Sequence, residues 1–160
     1  MAFSISSPSF RHEQSIPQKH TCEGEDVSPA LHFGDPPERA ASLALVIADP
    51  DAPDPKAPKR TFSHWIVYDL PADTASLEEG VSAKELPHGT LQGKNDFGSI
   101  GYRGPCPPIG RHRYFFKLYA LDRRLGNLGS PTREDLEAKM KGHVIAEAQL
   151  MGTYEKHAGR

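Results

Sequence analysis

Three stretches of the chain carry the apolar density of a buried strand, and polar or proline-rich sequence separates them. Leu43-Ala44-Leu45-Val46-Ile47-Ala48 is a continuous apolar run stopped by Asp49-Pro50, the pattern of a short strand covered on both faces. Trp65 to Leu70 follows directly on His64 and ends at Pro71. Arg113 to Leu121 is the longest: Tyr114, Phe116, Leu118 and Ala120 alternate with Phe115, Lys117, Tyr119 and Leu121, so both faces are apolar enough to be covered. One helix is predicted over 132–141. Thr132 is placed to cap it, Glu134 and Asp135 suit its positive end, Leu136 and Met140 share a face, and Gly142 can end it. The later run Val144 to Tyr154 has β-branched ends around a helix-friendly middle and is read as a strand.

Composition strengthens the β reading. In 160 residues there are 15 prolines and 14 glycines against a hydrophobic share of 37%, which favours many short elements joined by turns. The length suits one domain spanning 1–160. In "DPDAPDPKAP", four prolines remove backbone donors and push their neighbours towards extended conformations, so this stretch is expected to be a shaped loop. Residues 72–112 are expected to be loops with a short strand near Thr90-Leu91-Gln92, and the first thirty residues are read as turns.

Charge narrows the partners. A formal net charge of −2 and the lack of a dense Lys/Arg stripe argue against nucleic acid. The N-terminal "MAFSISSPSFRHEQSIP" has neither a basic start nor a long apolar run, and no stretch approaches the length of a membrane span, so a soluble cytoplasmic protein is expected. Cys22 and Cys106 are too few to define a disulfide framework, and reduced thiols are the expectation.

Each strong strand ends or begins beside a group that can hold a proton. Asp49 and Asp51 follow the first, His64 opens the second, and His112 with Arg113 opens the third. Singly, these read as turn starters or structural histidines. If the strand ends are neighbours, they form a pocket with two imidazoles, a carboxylate pair and a rigid wall from "GPCPPIG". Protonated imidazoles and turn amides would suit an oxyanion there, with Asp49 or Asp51 orienting a histidine. Affinity for phosphate should then rise as pH falls from 8 towards 6. Arg113 lies between His112 and Tyr114, so alternation points it away from the pocket, towards a structural carboxylate.

"DPDAP" at 49–53, "HWIVYDLP" at 64–71 and "GYRGPCPPIGRHRYFFKLYALD" at 101–122 together resemble the phosphatidylethanolamine-binding proteins, also called Raf kinase inhibitor-like proteins. "TCEGEDVSPAL", "DFGSIGY" and "GHVIAEAQLMGTY" resemble the family's bacterial and archaeal branch, and the likeness runs from about Thr21 to Tyr154. The resemblance implies a mainly β protein: an antiparallel β-sandwich with Greek-key connections and a few short helices. It implies a small anion pocket for phosphate, acetate or a phosphoethanolamine head group, formed by Asp49, Pro53, His64, Gly104, Cys106, Pro107, His112 and Tyr114. It further implies regulation of a kinase or protease and a homodimer; a non-catalytic anion-binding role with no cofactor is the expectation. Better-known animal members have a glycine where this chain has Cys106.

Two other readings compete. His64, His112 and Asp49 could serve an acid–base enzyme, although no serine or cysteine lies in a recognisable nucleophile motif. His20, Cys22, Cys106 and His112 could in principle hold zinc, but their spacing does not match structural zinc sites, and no metal is expected.

Overall fold

Alternation along the central strands decides what packs where. In the computed structural model, which describes residues 2–156, the elements in chain order are β1 (Ser4–Ser6), a 3₁₀ turn (Gln18–His20), β2 (Leu31–Gly34), β3 (Ser42–Ala52), β4 (Arg60–Pro71), β5 (Ser76–Leu77), β6 (Leu91–Gln92), β7 (Arg111–Leu121), α1 (Arg133–Met140) and β8 (Val144–Glu155). The strands form two antiparallel sheets, β1-β2-β5 and β6-β4-β3-β7-β8. The protein is thus mainly β, with one α-helix among the described residues.

On β3, Leu43, Leu45 and Ile47 point to one side of the large sheet and Ala44, Val46 and Ala48 to the other. The first set joins Trp65, Val67, Phe116 and Leu118, and meets Ile5, Leu31, Phe33 and Leu77 of the small sheet in the main core. The second set packs with Ile66, Tyr68 and Tyr119 under Leu136 and Met140 of α1. Both faces of β3 are therefore buried, as its unbroken apolar run requires. The helix begins at a capping box in which Thr132 and Asp135 satisfy each other's backbone amides.

Three differences from the sequence reading matter. β3 runs on through Asp49 to Ala52, so the first half of "DPDAPDPKAP" is strand and only the remainder is loop. The second strand begins at Arg60, which places His64 inside it. The turn-rich first thirty residues contribute β1, and β2 follows directly after them, both strands too short for alternation to reveal. Near residue 90, a two-residue strand forms as expected.

Candidate functional site

A bulge on β4 gives the site its histidine. Ile47 pairs with Trp65, while the next residue, Ala48, pairs with Ser63, so His64 is the extra residue between two ladder positions. Such a bulge re-aims side chains that strict alternation would send to opposite faces. Ser63 takes the helix side and binds Nε of Arg133 at 3.0 Å, while Trp65 enters the main core. His64, also buried, lines a cavity of about 450 Å³ at the edge of that core. The end of β3 and the start of β7 lie against it, bringing Asp49, His112 and Tyr114 to the same cavity.

The ring of His112 is held at both ends. Nδ1 lies 2.6 Å from Asp49 Oδ2 and Nε2 lies 2.9 Å from the carbonyl oxygen of Ile109. A carbonyl only accepts, so Nε2 carries hydrogen. One proton then lies between His112 Nδ1 and the Asp49 carboxylate, which makes the two a single proton-sharing unit. Burial pushes the Asp49 carboxyl up from its usual range, while the bonds from His112 and from the Asp51 amide, at 2.7 Å, pull it back.

His64 differs. Its Nδ1 donates to the Arg103 carbonyl at 2.8 Å, and burial lowers its pKa to about 4 against the partial support of the Arg103 and Gly104 carbonyls and Asp96. A charged His64 near neutral pH was expected from the sequence; desolvation keeps it neutral instead. Tyr114 lies between the two histidines, its ring edge-on to His64 at 5.3 Å and stacked with His112 at 6.4 Å. Its hydroxyl is buried and makes no hydrogen bond of ordinary length, its nearest polar partner being the Asp49 carboxylate, which interacts with it only weakly. Burial, and then the Asp49 charge, hold that phenol far above its usual range, so it remains an O–H donor.

The His64 shift has a measurable consequence. An unfolded histidine takes up its proton near 6.5, whereas the folded one stays neutral until about pH 4. The unfolded state therefore binds the proton first, and stability is lost as pH falls through this window. Between pH 7 and 5 this group alone should cost about 2 kcal/mol. Asp49, raised in the fold, acts in the opposite sense. Urea denaturation of the protein and of His64→Gln at both pH values checks the expectation: the variant should lose most of that slope.

Asp51 and Arg113 take no part in the cavity. Arg113 grips Asp51 with Nε and Nη2 at 3.0 and 2.9 Å and adds its backbone amide at 2.9 Å. These bonds hold the Asp51 carboxyl below its usual range and leave Asp49 as the carboxylate that orients His112.

Of the eight expected site residues, seven line the cavity: Asp49, Pro53, His64, Cys106, Pro107, His112 and Tyr114. Gly104 does not. It lies behind the wall, where its amide donates to Asp26 Oδ1 at 2.8 Å and a Cβ would overlap the His20 carbonyl oxygen. The cysteines are not reduced thiols: Cys22 and Cys106 form a disulfide, with Cα atoms 5.4 Å apart. Their separation of 84 residues gave no hint of this, because the turn at 18–26 and the loop at 102–106 meet only in the fold. The disulfide also takes both sulfurs from the zinc reading, and His20 Nδ1 faces the Val27 carbonyl at 2.9 Å. Among the described residues there is no group of three or more His, Cys, Asp or Glu placed to hold a metal ion.

Sequence reasoning missed the cavity mouth. Phe62 and Phe97 form an aromatic cluster with His64 and Tyr114, and Arg60 and Arg103 lie over the Phe62 and Phe97 rings at 5.1 and 4.7 Å. Lys59, Arg60, Ala52 and Pro108 complete the lining. Phe62 lies two residues before His64 and was a findable signal, whereas Phe97 arrives on a loop that only tertiary structure brings near.

A family model described as phosphatidylethanolamine-binding protein matches residues 6–155. The chain belongs to the phosphatidylethanolamine-binding protein family. Among its relatives is a UPF0098 protein of Methanothermobacter thermautotrophicus, 45% identical over 153 residues that cover 95% of this chain and 98% of the relative. A UPF0098 protein of Aquifex aeolicus is 43% identical over 157 residues, with 95% and 88% covered. In three dimensions, a phosphatidylethanolamine-binding protein homologue of Chlamydia trachomatis is similar at a TM-score of 0.88, with 43% identity and 97% and 98% of the two chains covered. The family member YbcL of Escherichia coli has the same TM-score at 30% identity, over 98% and 99%. The polar groups beneath the cavity of this family member are thus Asp49–His112, neutral His64 and the loosely held Tyr114 hydroxyl.

Proposed function

We propose that this protein is a non-catalytic binding protein, built on a two-sheet sandwich with Greek-key connections, for a small ligand bearing one phosphate or carboxylate group. The buried Tyr114 hydroxyl, which makes no hydrogen bond of ordinary length and belongs to a residue lining the cavity, carries this reading. Buried polar groups are normally satisfied, and one left open at a cavity suits a ligand oxygen. A neutral His64 with its hydrogen on Nδ1 offers Nε2 as an acceptor. Together they favour a ligand that both accepts and donates, as a phosphate monoester monoanion does through P–O⁻ and P–OH. Lys59 at the mouth favours the same sign of ligand charge, while Arg60 beside it is already paired with Asp96 at 3.0 Å.

Affinity should therefore follow protonation of the ligand, not of His64. Phosphoethanolamine should bind more tightly as pH falls from 7.5 to 5.5, since the second phosphate pKa is near 6. A phosphate diester, which does not titrate there, should show a flat profile. Calorimetric titration of both ligands tests this, and a diester profile that rises with the monoester's would return the pH effect to the protein. Tyr114→Phe should weaken binding about fivefold to thirtyfold while stabilising the free protein, because it removes a buried hydroxyl whose bonding is poorly satisfied without ligand. A merely structural tyrosine would not move the two quantities in opposite directions.

The acid–base alternative is disfavoured because both ring nitrogens of His112 are already engaged. Regulation of a kinase or protease, and a homodimer, belong to the same proposal; sedimentation tests the latter. Among the described residues no helix is long and apolar enough to cross a membrane. The cytoplasmic expectation is tested by alkylating Cys22 and Cys106 in intact cells.

A further inference from the structure

One wall of the cavity is tied down by a bond that solvent can reach. Cys106 lines the cavity, half-buried, and its disulfide partner Cys22 is exposed. The segments on either side differ in how they are held. The Cys22 turn has anchors of its own: Thr21 Oγ1 donates to the Gln18 carbonyl at 2.8 Å, the Asp26 amide to the Lys19 carbonyl at 3.0 Å, and Tyr154 on β8 to Glu23 at 2.5 Å. On the other side, residues 102–105 are held to that turn by Tyr102 Oη on the His20 carbonyl, the Gly104 amide on Asp26, and the Cys22 amide on the Pro105 carbonyl at 3.1 Å. From residue 106 to residue 110 the tethers change. The disulfide holds Cys106, and His112 Nε2 holds the Ile109 carbonyl. Between these two points lie Pro107 and Pro108, both lining the cavity, and Ile109, which is 56% exposed.

We propose that the Cys22–Cys106 disulfide is a thiol-exchange site that sets the rigidity of the cavity wall and hence ligand affinity. The inference about affinity rests on the binding function proposed above; that about the wall does not. Exposed disulfides are the labile class, because exchange needs in-line access of a thiolate to one sulfur. Cys22 is the more exposed residue of the two, so the attack is assigned to Cys22 Sγ. A thiolate from a small-molecule or protein dithiol attacks it, the Sγ–Sγ bond breaks, and its electron pair leaves with Cys106, which takes a proton from water. The second thiol of the reductant then displaces Cys22 from the mixed disulfide. Two protein thiols and one oxidised dithiol result, a balanced two-electron exchange.

Reduction leaves the Cys22 turn and residues 102–105 in place and frees residues 106–110 from their covalent tether. The Ile109 carbonyl can then leave His112 Nε2. A looser wall must be ordered again when ligand binds, so the reduced form binds more weakly.

The experiment uses the full chain, labelled with ¹⁵N, before and after dithiothreitol, with Cys22→Ser in parallel to remove the crosslink while keeping the Cys106 wall atoms. Native alkylation counts thiols, Trp65 fluorescence reports the core, and amide and imidazole ¹⁵N shifts report the wall. Dithiothreitol should convert both cysteines with the core unchanged. Cys106, Ile109, Gly110 and the His112 ring should shift, and Cys22→Ser should reproduce those shifts. Phosphoethanolamine should bind the reduced form at least about fivefold more weakly, the lower end of ordinary coupling between two sites. A disulfide that resists reduction in the folded protein would overturn the proposal, as would reduction that unfolds the core or leaves the wall shifts and the affinity unchanged. If phosphoethanolamine binds neither form, the binding function fails, and the wall shifts still decide whether the disulfide controls the loop.

Discussion

Asp49→Ala should lose about 3–5 kcal/mol of folding stability, the usual cost of removing one partner from a buried charged pair. Two hydrogen bonds are lost at once: the proton-sharing contact with His112 Nδ1 at 2.6 Å and the bond accepted from the Asp51 amide at 2.7 Å. His112 is wholly buried, so water cannot replace either bond cheaply. Asp49→Asn should be far milder, about 1 kcal/mol, for a reason that follows from the hydrogen-bond directions. Ile109 requires hydrogen on His112 Nε2, and a neutral ring with that tautomer presents Nδ1 as an acceptor. The asparagine amide can donate to it while its oxygen still accepts from the Asp51 amide. Urea denaturation followed by the fluorescence of Trp65, the one tryptophan, measures both variants. Equal losses would show that charge, not hydrogen-bond complementarity, holds the pair.

Gly104→Val should cost about 3 kcal/mol or more and abolish ligand binding. The residue is buried between the cavity wall and the Cys22 turn, where a Cβ meets the His20 carbonyl and the Asp26 carboxylate, and the carbonyl cannot swing aside as a flexible side chain would. To make room, the strands of backbone joined by Gly104–Asp26 and Tyr102–His20 must separate, and Pro107 moves with them. Gly126→Ala is the control. Nothing lies within 4 Å of its Cβ position, but φ is +77°, so it should cost only the backbone strain, about 1 kcal/mol, without affecting the cavity. Denaturation midpoints together with phosphoethanolamine titrations separate the two outcomes.

Much of the site was legible because it lies at the ends of strands that announce themselves. Asp49 and His112 flank apolar runs, and the fold places β3 beside β7, so reading the polar termini of two strong strands found the pair. The alternation that placed Arg113 opposite His112 also found its role, since the Asp51–Arg113 fork is what a charged residue facing away from the cavity would seek. His64 was found for an incomplete reason. It does not open its strand but bulges from within it, and a bulge leaves no mark in a single sequence.

The sequence by itself determined the β class, the three central strands and the capped helix, and it singled out Asp49, His64 and His112, because each depends on local periodicity or on a residue's own chemistry; Tyr114 came only from the family resemblance. Tertiary structure alone decided the rest. Whether two cysteines 84 residues apart meet, whether an imidazole is desolvated enough to remain neutral, whether a tyrosine hydroxyl has a partner, and which aromatic ring closes the cavity mouth are all set by what lies across space. Long-range contacts fix dielectric surroundings and pairing, and neither is encoded in the spacing of residues along the chain.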